Sequence, residues 1–335
     1  MVFSEFEVLN QYDTESGIGN AYLFAANWID IILVVLFGFE KVKSHPGLLC
    51  YGLDFEKDNS LNQSFKRRVF STFNSALDTT SDKGIKVLDM GCGLGGATFI
   101  LAQKYPNILF DGITLSLQQR NKAQNRADNF DIHNTRYYPG NYLATKFPAN
   151  SYEAMTATET FCYVPVTKKI KLAKEVFRLL KPGKKIVISD GYFTTKGLES
   201  FENDPKKRSE FNNIAYGWGL PTRLSLVSET VFAFESVGLK LISKNNQTNR
   251  IIQFSKFIKR RAKSVLPFVK IFLFIDRIFK FSTNIKSMLG FTSDFIYKFA
   301  YTSIMQTDVF INKNIEYIKL VFEKPNPLGR STKNE

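Results

Sequence analysis

Between residues 84 and 246 the chain alternates short apolar runs with stretches of helical spacing. Lys86–Met90, 109–115, Thr135–Pro139, 154–158 and 185–190 have the length and content of buried strands. The segments between them change to a 3–4-residue apolar period, as in Ala97 to Lys104 and, most plainly, Val166 to Leu180. Lys181-Pro182-Gly183 follows that second segment as a stop signal. Alternation of this kind predicts βαβ units feeding a parallel sheet. Leu239 to Lys244 is expected as a sixth strand and Ile315 to Pro325 as a seventh, running antiparallel. The expected fold is therefore α/β, doubly wound, with seven strands of which only the last is antiparallel.

The flanking regions read differently. Residues 1–80 predict a helical lead-in and lid. Ala21 to Phe39 is strongly apolar, but Asn27 and Asp30 interrupt it, and Ile31 to Phe39 is too short to cross a bilayer. The first twenty residues hold Glu5, Glu7, Asp13 and Glu15 and no lysine or arginine, the wrong charge for a secretory leader. Between the last two strands lie about 65 residues, far more than a hairpin connection needs. Ser255 to Lys263 and Val269 to Phe281 predict two helices there, with basic residues on one side and Phe257, Phe272, Ile275 and Phe279 on another. This gives a division into 1–80, a sheet core of 81–249 with 313–325, a helical insertion of 250–312, and a frayed tail of 326–335.

Charge sharpens the picture of that insertion. The chain has 335 residues and a formal net charge of +14. Residues 240 to 300 hold 13 lysines and arginines against Asp276 and Asp294, together with ten phenylalanines. The basic residues alternate with Phe, Ile, Leu and Val rather than with polar groups, which disfavours a nucleic-acid face. Two readings stay open: a cap whose phenylalanines fill a core or line an acceptor pocket, and a peripheral membrane surface over 255–281. Cys50, Cys92 and Cys162 are an odd set without metal spacing, so a reducing, cytoplasmic compartment is expected. With only His45 and His133 in the chain, no metal centre is expected.

The chemistry is concentrated in Lys86-Val-Leu-Asp-Met-Gly-Cys-Gly-Leu-Gly-Gly96. A strand ends near an acid, opens into a glycine loop and enters a helix, the pattern of a nucleotide-type cofactor site on a first crossover. Gly91, Gly93 and Gly96 also satisfy a dinucleotide fingerprint, but two details argue against a nicotinamide. Asp89 stands before the loop, where it would repel a pyrophosphate and attract a cation. The second strand closes on Thr114 where a dehydrogenase places a ribose-binding acid, and Asp111 lies three residues early. S-adenosylmethionine, with an ammonium and a sulfonium, suits this loop better.

The stretch resembles motif I of the class I S-adenosylmethionine-dependent methyltransferases, whose sheet is Rossmann-like. Gly112-Ile-Thr-Leu-Ser-Leu-Gln-Gln119 resembles the Gly-x-Thr-x-Ser-x-x-Gln signature of the branch holding tocopherol, sterol and natural-product methyltransferases and the cyclopropane fatty acid synthases. The resemblance implies cofactor contacts from Asp89, Gly91, Cys92, Gly93, Gly95, Thr114, Leu115, Ser116 and Gln119. A capping role for Thr114 and Ser116 is compatible with it. Asn141-Tyr142 stands where relatives have an aspartate for the adenine, and Thr158 ends the fourth strand at the same cleft. Arg178-Leu-Leu-Lys-Pro-Gly183 resembles the family's turn before the fifth strand.

Methyl transfer needs alignment of the acceptor and exclusion of water, with a base only where a proton is lost. Thr158-Glu-Thr-Phe-Cys-Tyr-Val-Pro165 resembles the Glu-x-x-x-His-x-Pro stretch of sterol and tocopherol methyltransferases, with Tyr163 in place of the histidine. Glu159 is the candidate base or stabilising anion, and Tyr163 the group that orients the acceptor. Tyr51, in a Tyr-Gly element resembling the segment that folds over the donor, is the candidate nearest the methyl group. Asp190, at the end of the fifth strand, is a further cleft candidate. The expectation is an enzyme that methylates carbon or oxygen of a small, lipophilic acceptor. The alternatives are a cyclopropane synthase-like reaction on a lipid, and a non-catalytic membrane-associated protein that retains the fold, to which the Tyr163 and Asn141 departures lend weight.

Overall fold

The computed structural model describes residues 50–57, 60–77, 84–220, 223–279 and 293–326. The apolar segment at 21–39 lies outside them, as does most of the expected lead-in. Seven strands form one sheet: β1 Lys86–Met90, β2 Leu109–Thr114, β3 Thr135–Pro139, β4 Tyr152–Thr158, β5 Leu180–Phe193, β6 Lys240–Asn246 and β7 Ile315–Glu323. Their spatial order is β3-β2-β1-β4-β5-β7-β6. β7 runs antiparallel to both its neighbours, and the other pairings are parallel.

The helices are α1 Leu61–Ala76, α2 Gly96–Lys104, α3 Leu117–Asn129, α4 Lys169–Leu179, α5 Thr195–Asn203, α6 Pro205–Trp218, α7 Val227–Glu235, α8 Thr248–Phe279 and α9 Ser293–Ile311. Local signals place their ends. Ser60 and Ser116 accept from the backbone of Gln63 and Gln119 at the starts of α1 and α3. Asp204 caps α6, whose first residue is Pro205, and Gly219 ends it in the left-handed conformation.

Two expectations are corrected. β5 begins at Leu180, pairing with Tyr152, so Lys181-Pro-Gly183 lies within extended chain; the register then shifts before Ala154 pairs with Lys185. A Gly183 with φ of +72° absorbs that irregularity. The two helices expected at 255–263 and 269–281 are one helix, α8, with Pro267 inside it. Tertiary packing of its first half carries the helix past a residue that would end an isolated one.

Apolar packing covers both faces of the sheet. On one side Phe65, Val69 and Phe73 of α1 join Val87, Phe110, Val187 and Val321. On the other, Leu172, Val176 and Leu179 of α4 and Phe234 of α7 join Leu88, Met155, Ile186 and Phe322. A third cluster, with Phe193, Phe211, Leu220, Ile251, Phe310 and Tyr317, lies where α6, α8 and α9 meet the ends of β5 and β7.

Candidate active site

The strand order reverses around β1, which lies between β2 and β4, and this opens a crevice beyond the carboxyl ends of the strands. Asp89 lies at that end of β1. It is 7% exposed, and the Thr156 hydroxyl donates to its Oδ1 at 3.2 Å. Burial pushes its carboxyl up to about 7, against the pull of that bond. A buried acid so weakly satisfied is a site for a cationic group.

The glycines divide their work. Gly91 has φ of +85°, and a Cβ there would lie 1.9 Å from Thr160 Oγ1, so its space is taken by the protein itself. Gly93 has φ of +54° and nothing within 4 Å of a Cβ position, so the loop is open there for the approach of a ligand. A Cβ on Gly95 would meet Ala123 and Tyr137 at 2.7 Å. The backbone N–H groups of Gly91 and Cys92 both donate to the Ile113 carbonyl at 2.9 Å. The Cys92 side chain packs beneath the loop with Ala123, Ala127 and Tyr137.

Beyond β2, the Thr114 hydroxyl donates to Gln119 Oε1 at 2.9 Å, and both residues are buried. This bond leaves the Gln119 amide as a donor near the end of the strand. Ser116 is the helix cap, and Leu115 is half-buried beside it. Asp111 belongs to the sheet: Tyr152 donates to it at 2.9 Å and Lys86 lies 3.4 Å away. Asn141 Oδ1 accepts from the backbone of Leu143 at 2.9 Å, so its oxygen already has a local partner. Tyr142 donates to the carbonyl of Thr160 at 2.9 Å, tying the loop after β3 to the segment after β4. Thr158 ends β4, half-buried, directly before Glu159.

Glu159 stands at the centre of a second group. It has φ of +51°, a strained conformation for a residue with a Cβ. Its Oε1 accepts from the backbone N–H of Tyr51 and from the Tyr317 hydroxyl, each at 2.8 Å. Desolvation pushes its carboxyl up to about 7, while Arg68, Tyr51 and Tyr317 pull the other way. The Tyr51 hydroxyl donates to Gln306, and its ring meets Phe254, Phe310 and Tyr317 edge-on at 5.5–6.1 Å. Tyr163 packs in the same cluster and donates to the Trp218 carbonyl at 3.0 Å. The three candidates for chemistry, Tyr51, Glu159 and Tyr163, are thus brought into one aromatic neighbourhood.

The segment carrying Glu159 is held from beneath. Lys169, 2% exposed, donates to the Phe161 carbonyl at 2.6 Å, and Asp190 accepts from the Cys162 backbone at 2.8 Å. Asp190 lies within β5, three residues before its end, and there supports the segment after β4. Burial pushes all three thiols up, which makes them weak nucleophiles. His133 is exposed, and no group of three or more metal-ligating residues occurs among the described residues.

Reading the sequence alone missed Arg68, Tyr317, Gln306 and Trp218. Arg68 carried a signal. The buried face of α1 is Leu61, Phe65, Val69, Thr72 and Phe73, and Arg68 falls inside that stripe. Its guanidinium lies 4.3 Å from the centre of the Tyr317 ring and donates to the Tyr51 carbonyl and to Gln247. Gln306 and Trp218 had no such mark.

A family model described as a methyltransferase domain matches residues 87–183, from within β1 to the start of β5. Residues 87–183 are thus similar to a methyltransferase domain, and the matched span contains Asp89, Gly93, Thr114, Gln119, Thr158 and Glu159. The chain is 29% identical over 170 residues to the sterol 24-C-methyltransferase of Aspergillus fumigatus, covering 50% of this chain and 43% of that protein. It is 34% identical over 111 residues to the 2-methyl-6-phytyl-1,4-hydroquinone methyltransferase of Synechocystis, covering 33% of each. The chain spans about half the length of the curated relatives it matches first. In fold it is similar to a mycolic acid cyclopropane synthase solved with S-adenosylhomocysteine, with a TM-score of 0.66, 14% identity and coverage of 83% and 90% of the two chains.

Proposed function

We propose that this protein transfers a methyl group from S-adenosylmethionine to carbon or oxygen of a small, lipophilic molecule. The observation that carries the reading is Asp89, a buried acid at the crevice that accepts from the Thr156 hydroxyl, beside a loop that is open at Gly93. Asp89 would hold the cationic end of the donor, with Thr114 and Gln119 at its adenosine. Ser116 and Leu115 shape the turn beneath, and Asn141 and Tyr142 close the adenine side. The donor, when bound, supplies an electrophilic methyl group.

The remaining roles fall to the chain's own residues. The rings of Tyr51, Tyr317 and Tyr163 exclude water and turn aromatic faces and edges toward an acceptor, which suits positive charge developing on carbon. Glu159, poised near 7, takes a proton from an acceptor that must lose one, and Tyr317 and Tyr51 steady the carboxylate before it does so. Two relatives named for methylation of carbon, the sterol enzyme and a botryococcene C-methyltransferase of Botryococcus braunii, favour carbon. A cyclopropane-forming reaction on a lipid double bond is the second reading, favoured by the same proton-accepting acid beside an aromatic cluster. In either case the sheet serves the donor, and α6, α8 and α9 cap the acceptor.

We propose further a cytoplasmic location peripheral to a membrane, which a lipophilic acceptor would suit, with no role for nucleic acid. Among the described residues no helix is long and apolar enough to cross a bilayer. The test is calorimetric titration with S-adenosylhomocysteine. Binding by the wild type and its loss in Asp89→Ala support the reading; no heat at high micromolar ligand overturns both enzymatic forms of it.

A further inference from the structure

Helix α8 changes character along its length. Its first half belongs to the core, with Ile251, Phe254, Ser255, Ile258 and Ala262 buried. There Ser255 bonds Thr307 of α9 at 2.7 Å, Lys259 bonds both oxygens of Asp308, and Arg250 pairs with Asp54. Pro267 then removes the bond its N–H would have given to the Lys263 carbonyl. Past that point Phe268 is 71% exposed, Ile271 57%, Phe274 65% and Ile275 40%. Steps of three and four residues align Phe268, Ile271 and Ile275, with Phe274 beside them.

The charge along this helix is nearly all of one sign. From Thr248 to Phe279 it carries eight lysines and arginines against the single acid Asp276. Arg260 lies on the face of Ile271, one stretch toward the N-terminus, and Lys263 and Lys270 run along its Phe274 side. All three are exposed and form no ion pair among the described residues.

We infer that the second half of α8 is a docking face for an anionic bilayer surface, with the Phe268–Ile275 stripe sunk among the acyl chains and Arg260, Lys263 and Lys270 at the headgroups. A lone apolar stripe would suit many partners; the basic residues beside it select a surface that is apolar within and anionic at its edge. Nucleic acid supplies the phosphates but no layer to receive two isoleucines. The helix is about 48 Å long at 1.5 Å per residue, and its buried half lies against α9, which holds Gln306 under Tyr51. Docking through the free half sets the aromatic cluster around Tyr51 and Glu159 beside a lipid supply. The inference deepens the proposed reading and rests on its lipophilic acceptor.

Co-sedimentation of the full chain with vesicles tests it, using phosphatidylcholine alone and an equimolar mixture with phosphatidylglycerol. The expected result is binding to the mixture that is at least about tenfold weaker on phosphatidylcholine. Phe268→Ser with Phe274→Ser, and separately Arg260→Glu with Lys263→Glu and Lys270→Glu, should each weaken it by a similar factor. Absence of binding to the mixture overturns the inference, as does binding that both variants leave unchanged. So does a wild-type dimer in sedimentation velocity that the serine variant dissociates, since the stripe then seats a second copy. Should the serine variant fail to fold, Phe274→Trp with brominated lipid reports insertion instead, read as the emission it adds over the wild type with its Trp28 and Trp218: quenching of that added emission supports the inference, and its persistence in bound protein overturns it. Titration of the same samples with S-adenosylhomocysteine separates the two readings, because donor binding does not depend on vesicles.

Discussion

The crevice at the end of β1 and the aromatic cluster around Glu159 each hold a carboxyl group pushed up to about 7, yet they are built in opposite ways. Asp89 has a hydroxyl at 3.2 Å and a loop open to a ligand. Glu159 has a backbone donor, a tyrosine hydroxyl and a buried arginine close by. On the proposed reading, the first arrangement leaves room for a charge that arrives with the ligand. The second already holds donors that steady an anion. Equal acidity therefore conceals different work, and the partners of each group reveal it.

The largest expected effect separates glycines of the same loop. Gly91→Ala drives a methyl group into Thr160 at an unfavourable φ, and should cost about 3 kcal/mol or more in urea unfolding. Gly93→Ala should cost only about 1 kcal/mol there, but block S-adenosylhomocysteine in calorimetry. Equal stability losses would break the division drawn between packing and ligand positions.

The two acids should next differ in their response to pH. Both stay protonated in the folded state up to about 7 but ionise near 4 when unfolded. Stability from each is thus present at low pH and falls as pH rises from about 4 to 7, by about 2–4 kcal/mol. Asp89→Asn and Glu159→Gln should each raise the melting temperature at pH 8 and change it little at pH 4. Only Asp89→Asn should also abolish the rise in S-adenosylhomocysteine affinity between pH 6 and 8. If Glu159→Gln flattens that rise as well, the two regions are not independent.

Smaller effects probe the cluster around Glu159 alone. Tyr317→Phe removes a donor to the Glu159 carboxylate, so that group should titrate higher than in the wild type. Infrared difference spectra of the carboxyl band, with Glu159→Gln as reference, give the measurement. Gln306→Leu leaves the Tyr51 hydroxyl without its acceptor and should cost about 1–2 kcal/mol, with S-adenosylhomocysteine affinity unchanged.

Legibility in the sequence followed the distance over which each feature is assembled. β1 and β3 were placed residue for residue: β1 is a short, mostly buried run before a glycine turn, and β3 an edge strand that alternates buried and exposed positions before Gly140. The ends of β5 were misplaced, since its register shift depends on pairing with Tyr152 and Lys324. Likewise α8 was divided at Pro267, where local preference and packing against α9 disagree.

By itself the sequence determined the alternation of strands and helices, the antiparallel last strand, and a stretch of about 30 residues, from β1 into α3, that holds Asp89, Gly93, Thr114 and Gln119. A strand, a turn and a helix cap are local structures, so their residues carry their own instructions. Only the tertiary structure decided what surrounds Glu159. Tyr51 meets Gln306 across 255 positions, Tyr317 reaches Glu159 across 158, and Arg68 reaches Gln247 across 179. No spacing along the chain encodes such contacts. They exist because the sheet and the helices over it bring distant segments together, and desolvation there sets the acidity on which the chemistry rests.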